Sequence, residues 1–269
     1  MITKKAQERK TFLENVVVEY YLNNKDVTLR EIEKIFNCSR YIIAKILKDR
    51  NLTIRNRYHD INLKYNFSSI DSSESAYWLG FIYADGSITY TPNKEKNRYV
   101  LEIGLKEEDY NHLLKFKTFI GSHCFIKYRE KTKSYRLIVS SKELTMNLHK
   151  LGILKNKTYN DNIRNIWESV PILYKRDFIR GYFDGDGHIA KNNRISFTGY
   201  FTKSIVFLLN NILQDCTYRV YEKKETCAAS VRLLKKESTF LLHYMYSNSI
   251  IFLDRKYEKY KIAVLNGNI

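Results

Sequence analysis

The sequence predicts a mixed α/β (α+β) protein. It has two pseudo-symmetric halves, each ordered α-β-β-α-β-β-α around an antiparallel sheet, behind a small all-α helix-turn-helix domain. Three observations predict this. A nine-residue string occurs twice, 101 residues apart, as Trp78-Leu79-Gly80-Phe81-Ile82-Tyr83-Ala84-Asp85-Gly86 and Ile179-Arg180-Gly181-Tyr182-Phe183-Asp184-Gly185-Asp186-Gly187. The same succession of helical and alternating segments follows each string. Before the first string, the chain carries helical signals with a tight break between two short helices. The boundaries fall at 1–52 for the helical domain, 53–72 for a basic linker, 73–170 for the first half and 171–269 for the second.

In the helical domain, Phe12, Val16, Val17 and Tyr20 recur at helical spacing. Thr28-Leu29-Arg30-Glu31 is a capping box. It opens a short helix with Leu29, Ile32, Ile35 and Phe36 inward. Asn37-Cys38-Ser39 breaks that helix, and Ser39 caps the next, residues 40–48, with Ile42, Ile43, Ile46 and Leu47 inward. The second helix of such a pair enters the DNA major groove. Its outward residues are Arg40, Tyr41, Lys45 and Lys48. Arginine suits guanine edges, and lysines hold phosphates. A helical bundle that contacts protein is the alternative. Residues 50–64 are polar, basic and tyrosine-bearing, a linker able to track a DNA backbone or minor groove.

In the first half, Tyr99, Leu101, Ile103 and Leu105 alternate on one face of a strand. Residues 107–120 read as a helix, 123–129 and 134–140 as strands, and 142–151 as a helix. In the second, 194–199, 217–223 and 228–234 read as strands, 202–213 and 237–245 as helices, and a last helix begins near Leu253. One parity of each strand is apolar. The other carries Arg98, Lys127, Arg129, Arg136, Arg194, Arg219 and Arg232. Half-buried antiparallel sheets alternate in this way. A twisted sheet with a basic outer face can lie along a DNA groove; a merely solvated face is the alternative.

Composition fits a polyanionic partner. The formal net charge is +17, and aromatic residues make up 14% of the chain. The excess is spread: residues 1–70 carry 14 Lys/Arg against 8 Asp/Glu, the remainder 32 against 21. Each phosphate neutralised by such residues releases counterions and adds affinity. No apolar run approaches the roughly 20 residues needed to span a bilayer. The charged start lacks a signal peptide's apolar stretch. Cys38, Cys124, Cys216 and Cys227 form no CxxC pair and suit buried thiols in a reducing compartment. An intracellular location follows: cytoplasm, nucleoid or an organelle.

Read as helices, the two strings place Gly80 with Ala84, and Gly181 with Gly185, at i and i+4. Small residues at that spacing make flat strips that let two helix backbones approach. Gly86 and Gly187 are expected to end the helices in left-handed caps. Asp85 and Asp186 then fall at two adjacent C-termini. There they oppose the helix dipoles and repel each other. A divalent cation offsets both penalties, and hard oxygen ligands suit Mg²⁺ or Mn²⁺. Such ions activate water and stabilise the leaving oxygen of a phosphodiester. The candidate metal site is Asp85, Asp186, Gly86 and Gly187. A hairpin turn explains one Asp-Gly but not the matching small residues in both strings. An EF-hand beginning at Asp184 fails, because its sixth and twelfth positions are Ile189 and Ile195.

The two strings resemble the LAGLIDADG motifs of homing endonucleases at Gly80, Ala84, Asp85 and Gly86, and at Gly181, Asp184, Gly185, Asp186 and Gly187. The resemblance runs from Ser75 to the end of the chain. Leu151-Gly152-Ile153 with Asn156-Lys157, and Phe252-Leu253-Asp254-Arg255-Lys256-Tyr257, resemble recurrent phrases of the family. The resemblance implies a pseudo-symmetric monomer whose motif helices form the interface between halves. It implies metals on Asp85 and Asp186, cleavage of both DNA strands across the minor groove with staggered ends, and major-groove readout by the sheets. Basic residues near the active centre polarise water, and Lys157 and Lys256 are the catalytic candidates. The sixth motif position, often acidic in the family, is Tyr83 in the first string and Asp184 in the second. Activity is expected with unequal strand cleavage, and Asp184 is not required for the metal role. A non-cleaving DNA-binding regulator and an intron RNA maturase are the alternatives. Met1 and the ending Asn268-Ile269 do not match an intein, so a free-standing or intron-encoded endonuclease is expected.

Overall fold

A computed structural model of the chain describes residues 4–24, 27–54, 63–91, 98–154, 162–199, 202–213, 216–222 and 229–265. The chain divides into two compact units, Met1–Asp60 with His123–Phe125, and Ile61–Ser122 with Ile126–Ile269.

The first unit contains α1 (Lys4–Asn23), α2 (Leu29–Phe36) and α3 (Arg40–Asp49). The capping box at Thr28 is formed: its hydroxyl accepts from Glu31 N at 3.3 Å, and Glu31 accepts from Thr28 N at 2.8 Å. Asn37 closes α2 in the left-handed conformation, φ 48°. Asparagine tolerates it and here does the work glycine does in many helix-turn-helix turns. Ser39 caps α3 through Ile42 N. Val17, Tyr21, Ile32, Ile43, Ile46 and Leu47 form the core.

Three residues expected inside this unit are exposed: Phe12, Ile35 and Ile42. The shared interior of three short helices is narrow. On α3 it takes Ile43, Ile46 and Leu47, and Ile42, one helical step away, turns outward. On α1 it takes Val17 and Tyr21 at i and i+4, a stripe that misses Phe12. The unit also extends past residue 52. Tyr21 donates its hydroxyl to Thr53 O at 2.8 Å, and Leu52 and Ile54 pack on the core.

The second unit contains α4 (Ser73–Asp85), β1 (Gly86–Thr91), β2 (Arg98–Lys106), α5 (Tyr110–Ile120), β3 (Ile126–Arg129), β4 (Ser134–Val139) and α6 (Lys142–Lys150). After α7 (Ile163–Ser169) the order repeats as α8 (Lys175–Asp186), β5 (Gly187–Ile189), β6 (Ile195–Gly199), α9 (Thr202–Asn210), β7 (Tyr218–Glu222), β8 (Ala229–Leu233) and α10 (Lys235–Tyr246). Helix α11 (Asp254–Leu265) follows. The sheets have the same order, β1-β2-β4-β3 and β5-β6-β8-β7, with every pairing antiparallel. The duplication expected from the repeated string is therefore present element by element. Helix α7 was not anticipated; it buries Ile163, Ile166 and Trp167 at helical spacing.

Residues 63–72, expected as linker, pack onto this unit. Phe67 and Ile70 are buried. Lys64 N donates to Ile120 O at 2.9 Å, and Asn147 Nδ2 to Asn66 O at 3.1 Å. Their apolar side chains outweigh the polar composition that suggested a linker. Residues 55–62 lie outside the described part. No described helix is long and apolar enough to cross a membrane.

Candidate active site

Helices α4 and α8 cross where the repeated glycines lie. A Cβ on Gly80 would collide with the carbonyl of Phe178 and come within 2.9 Å of Tyr182 N. A Cβ on Gly181 would collide with the carbonyl of Tyr77 and come within 2.9 Å of Phe81 N. The relation is reciprocal, as pseudo-symmetry requires. One turn on, a Cβ at Gly185 would overlap the Ala84 methyl and lie 3.4 Å from Asp85 Cγ. The expected flat strips are real, and they draw the two C-terminal ends together.

The terminal glycines act differently from expectation. Gly86 has φ −78° and ψ 151°, and Gly187 has φ −86° and ψ 158°, both extended and not left-handed. Each helix passes straight into a strand: Gly86 pairs with Ile103 and Gly187 with Phe197. Space makes glycine necessary. A Cβ on Gly86 would sit 2.7 Å from Ile82 O, and one on Gly187 would strike the ring and carbonyl of Phe183. So each motif aspartate stands between a helix end and the first strand of its own sheet. Asp85 is exposed and Asp186 half-buried.

Lys256, a catalytic candidate, is buried under the end of α8. Its ammonium donates to Phe183 O at 2.5 Å and Asp184 O at 2.8 Å. It thus counters the negative end of that helix beside Asp186. Burial pulls its pKa down to about 8, against the attraction of Asp184, Asp85 and Asp186. Lys157, the other candidate, lies outside the described residues.

Asp184, not required for the metal role, is the centre of a buried network. Its carboxylate accepts from Tyr77 Oη at 2.7 Å, Tyr246 Oη at 2.5 Å and Leu253 N at 2.7 Å. Burial pushes its pKa up, while Lys256 and these donors pull it down. Tyr77 Oη also lies 3.0 Å from His112 Nε2. Its single hydrogen goes to the carboxylate, so His112 must donate through Nε2 and is the Nε2–H tautomer. His112 Nδ1 is buried and has no partner among the described residues. Burial, with Lys115, Lys256 and Arg255 nearby, takes the His112 pKa down to about 3.

A second buried charge supports the same helix. The Arg180 guanidinium donates to Ile251 O at 2.7 Å, Met245 O at 3.0 Å and Asp177 Oδ1 at 2.6 Å. Asp177, Arg180 and Asp184 recur at i, i+3 and i+7 on a helix otherwise rich in aromatics. That charged stripe was a usable sequence signal for the buried network, and it was missed.

Asp85 and Asp186 offer hard oxygen donors at neighbouring helix ends. Among the described residues no group of three or more His, Cys, Asp or Glu forms a closed cage for a metal ion. The donor set fits Mg²⁺ or Mn²⁺, which keep water and phosphate oxygens in their shells. It does not fit a fully protein-ligated site.

The predicted basic residues fall on the outer sheet faces. In the first sheet Lys127 pairs with Arg136, which pairs with Gly104, and Arg129 pairs with Ser134. Arg98 and Arg129 are exposed. Arg136 is half-buried and ion-paired with Glu102, so its charge is already partly balanced. In the second sheet His188, Ser196, Arg232 and Arg219 form one row across four strands. Arg194, Arg219 and Arg232 are exposed, and the Arg232 guanidinium lies over the Tyr221 ring, 4.6 Å from its centroid. In the first unit Tyr41, Lys45 and Lys48 are exposed, whereas Arg40 Nε is held by Glu33 at 3.0 Å.

Comparison with known proteins agrees with this fold. Residues 78–165 match the LAGLIDADG endonuclease family, and residues 173–210 match the LAGLIDADG-like domain. An uncharacterized protein of Methanocaldococcus jannaschii is 28% identical over 203 residues, 73% of this chain and 67% of that protein. The crystal structure of a variant of I-DmoI with nicked target DNA superposes with a TM-score of 0.51 at 18% identity, covering 68% of this chain and 99% of that one. I-DmoI in complex with DNA and Ca gives 0.50 at 19% identity, covering 74% and 100%. The meganuclease I-SmaMI bound to uncleaveable DNA gives 0.50 at 13% identity, covering 71% and 90%. Each repeated string thus lies in a segment that matches a LAGLIDADG family model, and the fold is the one seen in the homing endonuclease structures.

Proposed function

We propose that this protein is a sequence-specific homing endonuclease that hydrolyses one phosphodiester in each strand of duplex DNA and leaves staggered ends. The observation that carries this is the convergence of Asp85 and Asp186 at two helix ends locked together by Gly80 and Gly181. Intron-encoded or free-standing homing is the setting this activity serves.

Asp85 and Asp186 would hold Mg²⁺ or Mn²⁺, with Gly86 and Gly187 adjoining. When bound, the metal lowers the pKa of water and stabilises the leaving oxygen. The carboxylates fix where that chemistry occurs. Lys256 holds the end of α8 and adds positive potential beside Asp186; Lys157 is its candidate counterpart in the first half. The outer sheet faces bind the duplex through Arg98, Lys127, Arg129, Arg136, Arg194, Arg219 and Arg232. The first unit extends the bound site as a helix-turn-helix, through Tyr41, Lys45 and Lys48, with Arg40 beside them. Both motif helices belong to one chain, so the protein acts as a monomer.

The test is to incubate the full chain with Mg²⁺ and a duplex library and sequence the new ends. Paired, staggered ends at one extended site are expected. Protected fragments with no new ends favour a non-cleaving regulator, and selective binding of intron RNA over duplex DNA at equal salt favours a maturase.

A further inference from the structure

We infer that Ile42 reads a thymine methyl group in the major groove, making the first unit selective for an A·T pair. This rests on reading that unit as a DNA-contacting helix-turn-helix and adds what it recognises. Ile42 is 47% exposed although Ile43, Ile46 and Leu47 of the same helix are buried. It stands in the first turn of α3, the part of a second helix that meets base edges. Tyr41, 79% exposed, precedes it. Lys45 and Lys48 follow at i+3 and i+6 and are exposed, giving the apolar pair a flank complementary to phosphate.

Arg40, the side chain that sequence assigns to guanine, is directed elsewhere. Its Nε lies 3.0 Å from one Glu33 oxygen, and its backbone N lies 3.4 Å from the other. This ion pair partly balances the Arg40 charge and occupies one of the guanidinium's donors. Beside Tyr41, the exposed side chain of Ile42 is branched and apolar. The thymine C5-methyl is the apolar group on a major-groove edge. Covering it removes about one methylene's worth of surface from water, which corresponds to about fourfold in affinity.

The experiment recovers bound duplexes from a random pool with the full chain in EDTA, then replaces each thymine singly with uracil. One or two replacements within the footprint of the first unit are expected to weaken binding about fourfold. Ile42→Ala is expected to bind the thymine duplex about fourfold more weakly and to ignore those replacements. Helical circular dichroism checks that this exposed substitution leaves the fold intact. If Ile42→Ala keeps the wild-type response to uracil at every position, or no position responds, Ile42 does not read thymine. Lys45→Ala and Lys48→Ala test the underlying reading separately. They should weaken binding and reduce its salt dependence without changing the uracil response. Unchanged footprint and affinity in both would mean that the unit faces protein and not DNA, and would remove the thymine assignment as well.

Discussion

The Tyr77 hydroxyl on one motif helix donates to Asp184 on the other at 2.7 Å, across the seam between the duplicated halves. His112 stands behind Tyr77, and Tyr246 and Leu253 N complete the carboxylate's shell. The seam is thus held by a buried polar chain as well as by glycine packing. Asp184→Ala leaves two phenols and the Leu253 N–H without their acceptor and removes the buried charge opposite Lys256. It should destabilise the second unit by about 3–5 kcal/mol. Tyr77→Phe should cost about 1–3 kcal/mol. Denaturant midpoints at unchanged slope would check both; an Asp184→Ala protein of wild-type stability contradicts the network.

His112 gives stability a pH dependence with a definite sign. Its pKa is about 3 in the fold, against an ordinary value of 6.5. Below 6.5 the unfolded chain takes up a proton that the native state refuses until about 3. Stability should therefore fall as pH drops through that window, and the contribution should be constant above it. His112→Gln should show a shallower fall than the wild type over the same range. Parallel profiles for the two proteins would place the titration elsewhere.

The crossing of α4 and α8 admits no side chain. Gly80→Ala or Gly181→Ala should cost about 3 kcal/mol or more, because each Cβ meets a backbone carbonyl of the other helix. Gly104→Ala is the control. Its Cβ would meet only the flexible Arg136 side chain, at 3.4 Å, so about 1 kcal/mol or less is expected. Thermal unfolding of the three variants would rank them.

Much of this was legible in the sequence, for identifiable reasons. The alternation of Tyr99, Leu101, Ile103 and Leu105 and the capping residues Thr28 and Ser39 are local signals, and local structure obeyed them. The small residues at Gly80, Ala84, Gly181 and Gly185 announced a close helix crossing because few other purposes need them at that spacing. What escaped depends on distant partners. Asp184 was given no role in the metal site because Tyr83 occupies the matching position, and its partners Tyr77, Tyr246 and Leu253 come from three other segments. Gly86 and Gly187 were assigned the right necessity for the wrong cause: a left-handed cap and a crowded extended residue both demand glycine. Ile42 looked like core because one-dimensional periodicity cannot tell how wide a stripe three short helices will bury.

The most direct measurement compares cleavage by the wild type, Asp85→Asn, Asp186→Asn and the double variant on the duplex recovered from the library, with Mg²⁺ and with EDTA. The wild type should cut both strands only with the metal. Each single variant should lose at least about a thousandfold in double-strand cutting, since electrostatic stabilisation of this kind is worth several kcal/mol. All four proteins should keep binding the site. Cutting at the wild-type rate by the double variant, or by the wild type in EDTA, would contradict the assignment of Asp85 and Asp186 as the metal-holding centre.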